Sequence, residues 1–234
     1  MKRTMILAMS AALLISLVGT NRWTDAYASP QLLTGILAKM EKMHKELRSL
    51  KAGLVQEKVN AQIGTRDKDF GTLMYKPAVG KAKGKFRIDY TKPTTNTIAV
   101  NGDAVLYYQP KLNQALKMTV AKAAKSRVGG YGQILGLDGS VKSLVDQYNI
   151  DFVGDENVDG QGAAHLRLTP KASGGMASIE IWVNNSGFPL MQKFNERNGD
   201  YTVVKLTNLQ QNVAINDGDF EVKLPGGVKI VDKF

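Results

Sequence analysis

The spacing of apolar and polar residues divides the chain into a helical start and a long β region. Leu33, Ile36, Leu37, Met40, Leu47 and Leu50 recur at helical spacing, with Lys39, Lys42, Lys45 and Arg48 on the other side. Ser29 suits an N-cap and Pro30 a first helical position, and Gly53 sits where the helix is expected to stop. From Leu54 the period becomes two. "LVQEKVNAQI", "GTLMYKP", "KFRIDYT", "NTIAV", "AVLYYQP" and "QALKMTV" read as consecutive antiparallel strands ending at Val120. In "KFRIDYT", Phe86, Ile88 and Tyr90 face one way and Lys85, Arg87 and Asp89 the other. A slip of one residue there would bury three charged side chains. Asn101-Gly102-Asp103 marks a tight hairpin. The strand after it, "AVLYYQP", has no strict alternation: Val105, Leu106, Tyr107 and Tyr108 place apolar or aromatic groups on both faces.

The two-residue period breaks at Ala121. "AKAAKSRVGGYGQILGLDG" is rich in alanine and glycine, and Gly129, Gly130, Gly132, Gly136 and Gly139 suggest hinges. In "SVKSLVDQY", Val141, Leu144, Val145 and Tyr148 share a helical face behind Ser140, a candidate N-cap. Strands resume at Asn149 and run to the end, and "AHLRLTP", "ASIEIWVNN", "FPLMQKFNER", "DYTVVKLTNLQQNV" and "FEVKLP" are separated by Asp159-Gly160, Asn185-Ser186-Gly187 and Asn198-Gly199-Asp200. The pattern predicts a mainly β meander of about eleven antiparallel strands, too many for one sheet unless it curls strongly. A helix laid in the concave face accounts for the order helix, strands, short helices, strands.

The first residues fit an export leader. Lys2 and Arg3 precede the apolar run Met5 to Val18, and "AYA" (Ala26, Tyr27, Ala28) suits cleavage after Ala28. Residues 1–28 are thus expected to be a signal peptide and 29–234 a single domain. The formal net charge is +10; removing Lys2, Arg3, Arg22 and Asp25 with the leader leaves +8. An exported basic chain points to anionic membrane surfaces or acidic proteins, not nucleic acid. The chain has no cysteine, so it must fold on its apolar core, without disulfides or a lipid-modified N-terminus.

The search for chemistry returns little. His44 stands between lysines on the first helix and His165 beside Arg167 on a polar strand face, and both read as surface residues. One histidine per element makes no metal cluster, and no metal or other cofactor is expected. No nucleophile elbow, zinc motif or phosphate loop occurs, so an enzyme is not expected. "DENVDG" (Asp155 to Gly160) opens like a calcium loop, but its twelfth position is Leu166, which makes it a turn between strands. Lys76, Lys81, Lys83, Lys85 and Arg87 form one basic run, and Lys117, Lys122, Lys125 and Arg127 another. Both read as solvated faces or as steering groups. Trp182 shares a strand face with Ser178 and Glu180.

Taken in order, "FRIDYTKP", "NGDAVLYYQPKLNQ", "QYNI", "LTPKAS" and "FEVKLPGGVKIVD" resemble the periplasmic outer-membrane lipoprotein carrier family, LolA-like, over nearly all of the chain after the leader. The resemblance implies an unclosed antiparallel β-barrel whose N-terminal helix and short lid helices cover a hydrophobic cavity. It implies a periplasmic carrier of triacylated lipoproteins, and the absent cysteine and isolated histidines lead us to expect a monomer. Such a carrier receives cargo from an inner-membrane lipoprotein-releasing ABC transporter and hands it to an outer-membrane lipoprotein receptor. A lipid or glycolipid carrier, or an envelope-stress sensor of the same fold, is the alternative. Cavity residues on this reading are Leu33, Ile36, Met40, Phe86, Ile88, Tyr90, Ile98, Leu106 and Tyr108. Lid residues are Ile134, Leu135, Leu137, Val141, Leu144 and Val145. The family's lid clasp is a basic residue before proline, usually arginine. Lys76 before Pro77 holds that position here, and Arg87 is a second candidate. Lysine lacks the planar donor fork of arginine.

Overall fold

The computed structural model of the chain describes residues 30–80, 82–123 and 140–232. Helix α1 (Pro30–Glu46) leads into a meander of β1 (Leu50–Asn60), β2 (Thr65–Lys76), β3 (Lys85–Lys92), β4 (Thr97–Asn101), β5 (Ala104–Gln109) and β6 (Gln114–Thr119). A short helix α2 (Val120–Ala123) follows, and α3 (Val141–Gln147) opens the second meander. That meander comprises β7 (Tyr148–Val158), β8 (Gln161–Pro170), β9 (Met176–Asn184), β10 (Pro189–Glu196) and β11 (Tyr201–Gln211). β12 (Lys229–Asp232) is the last of the described elements.

Among the described residues all strands belong to one 12-stranded sheet, ordered β12-β6-β5-β4-β3-β2-β1-β11-β10-β9-β8-β7. The antiparallel pairing of β1 with β11 joins the two meanders. The terminal strands β12 and β7 do not pair with each other, so the sheet is an unclosed barrel. The twelfth strand was not anticipated. It is the short "KIVD" segment, which pairs in parallel with β6. "FEVKLP" is not a strand, because Phe220 ends a 3₁₀ turn (Asp217–Phe220) and the following residues pair with no neighbour.

The first helix is a turn shorter than the apolar spacing predicts. Leu47 still donates its N–H to the Met43 carbonyl, but the next N–H, that of Arg48, goes to Asn212 Oδ1 at 2.7 Å. Asn212 lies just beyond β11, so the chain is drawn into pairing with β11 and Leu50 becomes the first residue of β1. Gly53 therefore lies inside a strand, at a register shift opposite Thr207. α1 crosses the turn between β9 and β10. Gly187 there has φ of +87°, and a Cβ on it would overlap the Lys39 carbonyl of α1. The backbone of the helix can lie against the turn only because that residue is glycine.

Directly paired strand residues point to the same side. The rows Phe86–Val100–Val105–Met118 and Ile88–Ile98–Tyr107–Leu116 therefore belong to the face that carries α1, here called the inner face. The rows Arg87–Ala99–Leu106–Lys117 and Asp89–Thr97–Tyr108–Ala115 belong to the outer face. One core cluster joins Ile36 and Met40 of α1 to Leu50, Leu54, Leu73, Ile88 and Ile98, and continues through Leu166, Ile181 and Leu206 of the second meander.

Candidate functional site: an apolar inner face under two helices

The inner face gathers most of the residues singled out above. Ile36, Met40, Phe86, Ile88, Tyr90 and Ile98 are buried in one cluster, and Leu33 packs against it. Leu106 and Tyr108 do not join them. The register places both on the outer face, and their neighbours Val105 and Tyr107 take the inward positions. With apolar side chains at four successive positions, the strand carried no alternation that could fix its register.

The space under the helices is filled by α1 and part of α3. Val141 and Leu144 pack against the core cluster, whereas Val145, placed on the same face by helical spacing, is 44% exposed. Residues 141, 144 and 148 form a narrow stripe, and Val145 flanks it on the solvent side. Ile134, Leu135 and Leu137 lie outside the described residues. Ser140 caps α3 as expected, its Oγ accepting from the Ser143 N–H at 3.2 Å. A polar tie to α1 runs from the Val141 N–H to Glu41 Oε2 at 3.1 Å. Lys45 chiefly, and then this N–H, hold the Glu41 carboxyl below the usual carboxylate range. At the end of α1 a cleft of about 340 Å³ opens between His44, the connection from Pro77 to Lys85, and Tyr75, Phe86, Val100 and Val120.

Neither candidate clasp touches α1 or α3. Lys76 and Arg87 alternate with the inward-facing Tyr75, Phe86 and Ile88, so both stand on the outer face. They hold the C-terminal segment there. Lys76 Nζ lies 2.8 Å from Asp217 Oδ1, and Lys85 Nζ 3.2 Å from Asp217 Oδ2. Lys76 first, then Lys85, lower the Asp217 carboxyl below its usual range. Arg87 Nη1 donates to the carbonyls of Asp219 and Glu221 at 3.0 and 2.9 Å, while Nε and Nη2 grip Asp89 at 2.8 and 3.0 Å. Phe220, 1% exposed, anchors the segment beside Ala99 and Leu106. A groove of about 590 Å³ remains between the segment and the sheet, bordered by Lys51, Arg87, Asp89 and Tyr108.

His165 is not a surface residue. It is 5% exposed, and its ring stacks on Trp182 with centroids 4.3 Å apart. Nδ1 lies 2.7 Å from Glu156 Oε1 and Nε2 lies 3.1 Å from Glu180 Oε2. The Trp182 indole N–H donates to Glu156 Oε2 at 2.7 Å, and with His165 it lowers the Glu156 carboxyl. His165 and Trp182 pair directly across β8 and β9 on the outer face. The sequence offered the residue types but not the register that stacks them. The carboxylates of "DENVDG" do not converge. Glu156 serves Trp182, Asp159 pairs with Lys205 at 2.8 Å, and Asn157 Oδ1 accepts from the Gly160 N–H. Among the described residues no group of three metal-ligating side chains occurs.

The inner face also holds polar residues that sequence reasoning passed over. Gln56 and Gln192 are 2% and 3% exposed, and the Tyr90 hydroxyl donates to Gln56 Oε1 at 2.8 Å. Asp69 lies beside Gln56 in the register, and burial pushes its carboxyl up.

Comparison with known proteins places this arrangement. An outer-membrane lipoprotein carrier protein of Methylococcus capsulatus is 26% identical over 186 residues, covering 79% of this chain and 82% of the relative. Among solved structures, an uncharacterized conserved protein from Thermus thermophilus superposes with a TM-score of 0.55 at 16% identity, covering 87% of this chain and 100% of the other. MucB, in its complex with MucA from Pseudomonas aeruginosa, superposes with a TM-score of 0.50 at 14% identity, over 80% of this chain and 60% of that one. These likenesses to solved structures establish the shared fold. The family model described as outer membrane lipoprotein carrier protein LolA matches residues 45–223, from the end of α1 through the clasped C-terminal segment, and the chain belongs to that family.

Proposed function

We propose that the chain is a periplasmic carrier that binds the acyl chains of lipoproteins on its inner face and delivers them to an outer-membrane receptor. The observation that carries this reading is the largely apolar surface spanning both meanders beneath α1 and α3. Such a surface is available to acyl chains once the helices shift. A buried methylene contributes about 0.8 kcal/mol, so an acyl chain of about fourteen methylenes loses about 11 kcal/mol when exposed to water. A lipoprotein therefore needs a cover to cross an aqueous compartment. α1 and α3 occupy the face in the empty carrier, which shields it from aggregation and lowers the net gain on loading.

The family is one of carriers and not an enzyme class, and the leader read at residues 1–28 accounts for export. Loading would come from an inner-membrane ABC transporter of the lipoprotein-releasing type. The chain would act as a monomer without metal or cofactor. Incubation with a synthetic tripalmitoylated cysteinyl peptide followed by native mass spectrometry tests the reading. A 1:1 complex is expected, and the same peptide without acyl chains should not bind. Equal binding of both peptides would overturn it.

A further inference from the structure

We infer that the inner face carries a polar station, Gln56 and Gln192, that receives the ester or amide carbonyls of the acyl groups. The inference rests on the carrier reading above and adds the chemical class of linkage that the face selects. The two glutamines belong to one row across the sheet, Asp69–Gln56–Val204–Gln192–Ile181. They flank Val204, two strand spacings or about 10 Å from each other.

Both side chains are buried in a predominantly apolar surface, yet neither amide NH₂ donates to a described residue. The Oε1 of Gln56 is engaged by the Tyr90 hydroxyl, which leaves its Nε2 without an acceptor. Gln192 makes no side-chain hydrogen bond with any described residue. Among the described residues no side-chain nitrogen or oxygen that is sealed from solvent lacks a partner. The free amide groups therefore keep a small access to solvent. Leucine at either position would continue the apolar row, so two largely buried amides interrupt it where an acceptor could be received.

The donor set defines the missing ligand. Two primary amides present N–H groups, and Gln56 Oε1 already accepts from Tyr90. A neutral acceptor joined to hydrocarbon complements these N–H groups and the apolar residues around them. Acyl ester and amide carbonyls have that character. Tails attached to a carbonyl held here can run along the apolar rows toward Ile88 and α1.

The test compares dipalmitoylglycerol with dihexadecylglycerol, which have the same chain length and differ in the two carbonyl oxygens. Binding of each to the full chain is measured by displacement of a fluorescent alkyl probe. The chain should favour the ester by about ten-fold, equivalent to about 1.4 kcal/mol. The double variant Gln56→Leu with Gln192→Leu should bring the two affinities to near parity while binding of the ether is retained. Retained ether binding also reports that the variant is folded. Equal affinities in the unmodified chain, or an unchanged ratio in a folded double variant, would overturn the inference. If the variant does not fold, the ratio in the unmodified chain decides alone. If neither lipid binds but the tripalmitoylated peptide does, the station is overturned and the carrier reading stands; if none of the three binds, the carrier reading itself fails and takes the station with it.

Discussion

The two faces of β3 differ in what covers them. Phe86, Ile88 and Tyr90 point inward and are buried in one apolar core beneath the helices. Lys85, Arg87 and Asp89 point outward, yet they are not left to solvent. They hold the chain's own C-terminal segment through an ion pair and two carbonyls. The inner cover meets the sheet mainly through side-chain packing, which is non-directional and tolerates sliding. The outer cover is fixed by charge-assisted bonds of defined geometry and by one buried aromatic. A cover that must give way to cargo suits the first kind of contact, and a cover that must stay suits the second.

Substitutions can break or sharpen that contrast. The largest effect is expected from Ile88→Asp. Ile88 is fully buried, and an unpaired carboxylate there should cost more than about 4 kcal/mol and abolish cooperative unfolding in urea. Next is Phe220→Ala. Removing that ring should cost about 3 kcal/mol and release the C-terminal segment. Hydrogen exchange should then rise across residues 213–232 while α1 keeps its protection. Loss of protection in α1 as well would mean that the two covers are coupled.

Gly187→Ala acts on the inner cover. The side chain would strain a positive φ and strike the Lys39 carbonyl, at a cost of about 2 kcal/mol. Faster exchange in α1, with the C-terminal segment unchanged, is the expected signature. Acidification gives the smallest effect. The Asp217 carboxyl titrates below its usual range because Lys76 and Lys85 favour its charged form. Its attraction is complete above the ordinary carboxylate range and disappears as pH falls through the lowered value. Exchange around residues 216–219 should therefore quicken on the acid side, and neutralising the site with Asp217→Asn should remove that pH dependence.

Much of this contrast was legible in the sequence and part of it was not. Alternation in "KFRIDYT" identified the inward residues correctly, because one face of that strand is apolar and the other charged. The same rule had no purchase on "AVLYYQP", where Leu106 and Tyr108 proved to be outward and Val105 and Tyr107 inward. Alternation also identifies a face without saying what lies on it. Lys76 and Arg87 were read as a lid clasp, yet their partner is the segment from Asp217 to Glu221, more than a hundred residues away in the chain. His165 and Trp182 share the same limit. Their stacking depends on the pairing of β8 with β9, which no local pattern specifies.

The central claim is that the inner face carries lipoprotein through water. It is tested most directly by adding the chain, without residues 1–28, to membrane vesicles that contain a lipoprotein-releasing ABC transporter, ATP and an acylated lipoprotein. The account predicts that lipoprotein leaves the vesicles in a soluble 1:1 complex with the chain, and that cross-linking α1 to the sheet blocks its release. Lipoprotein that stays in the membrane, or release that is unaffected when α1 is fixed in place, would contradict it.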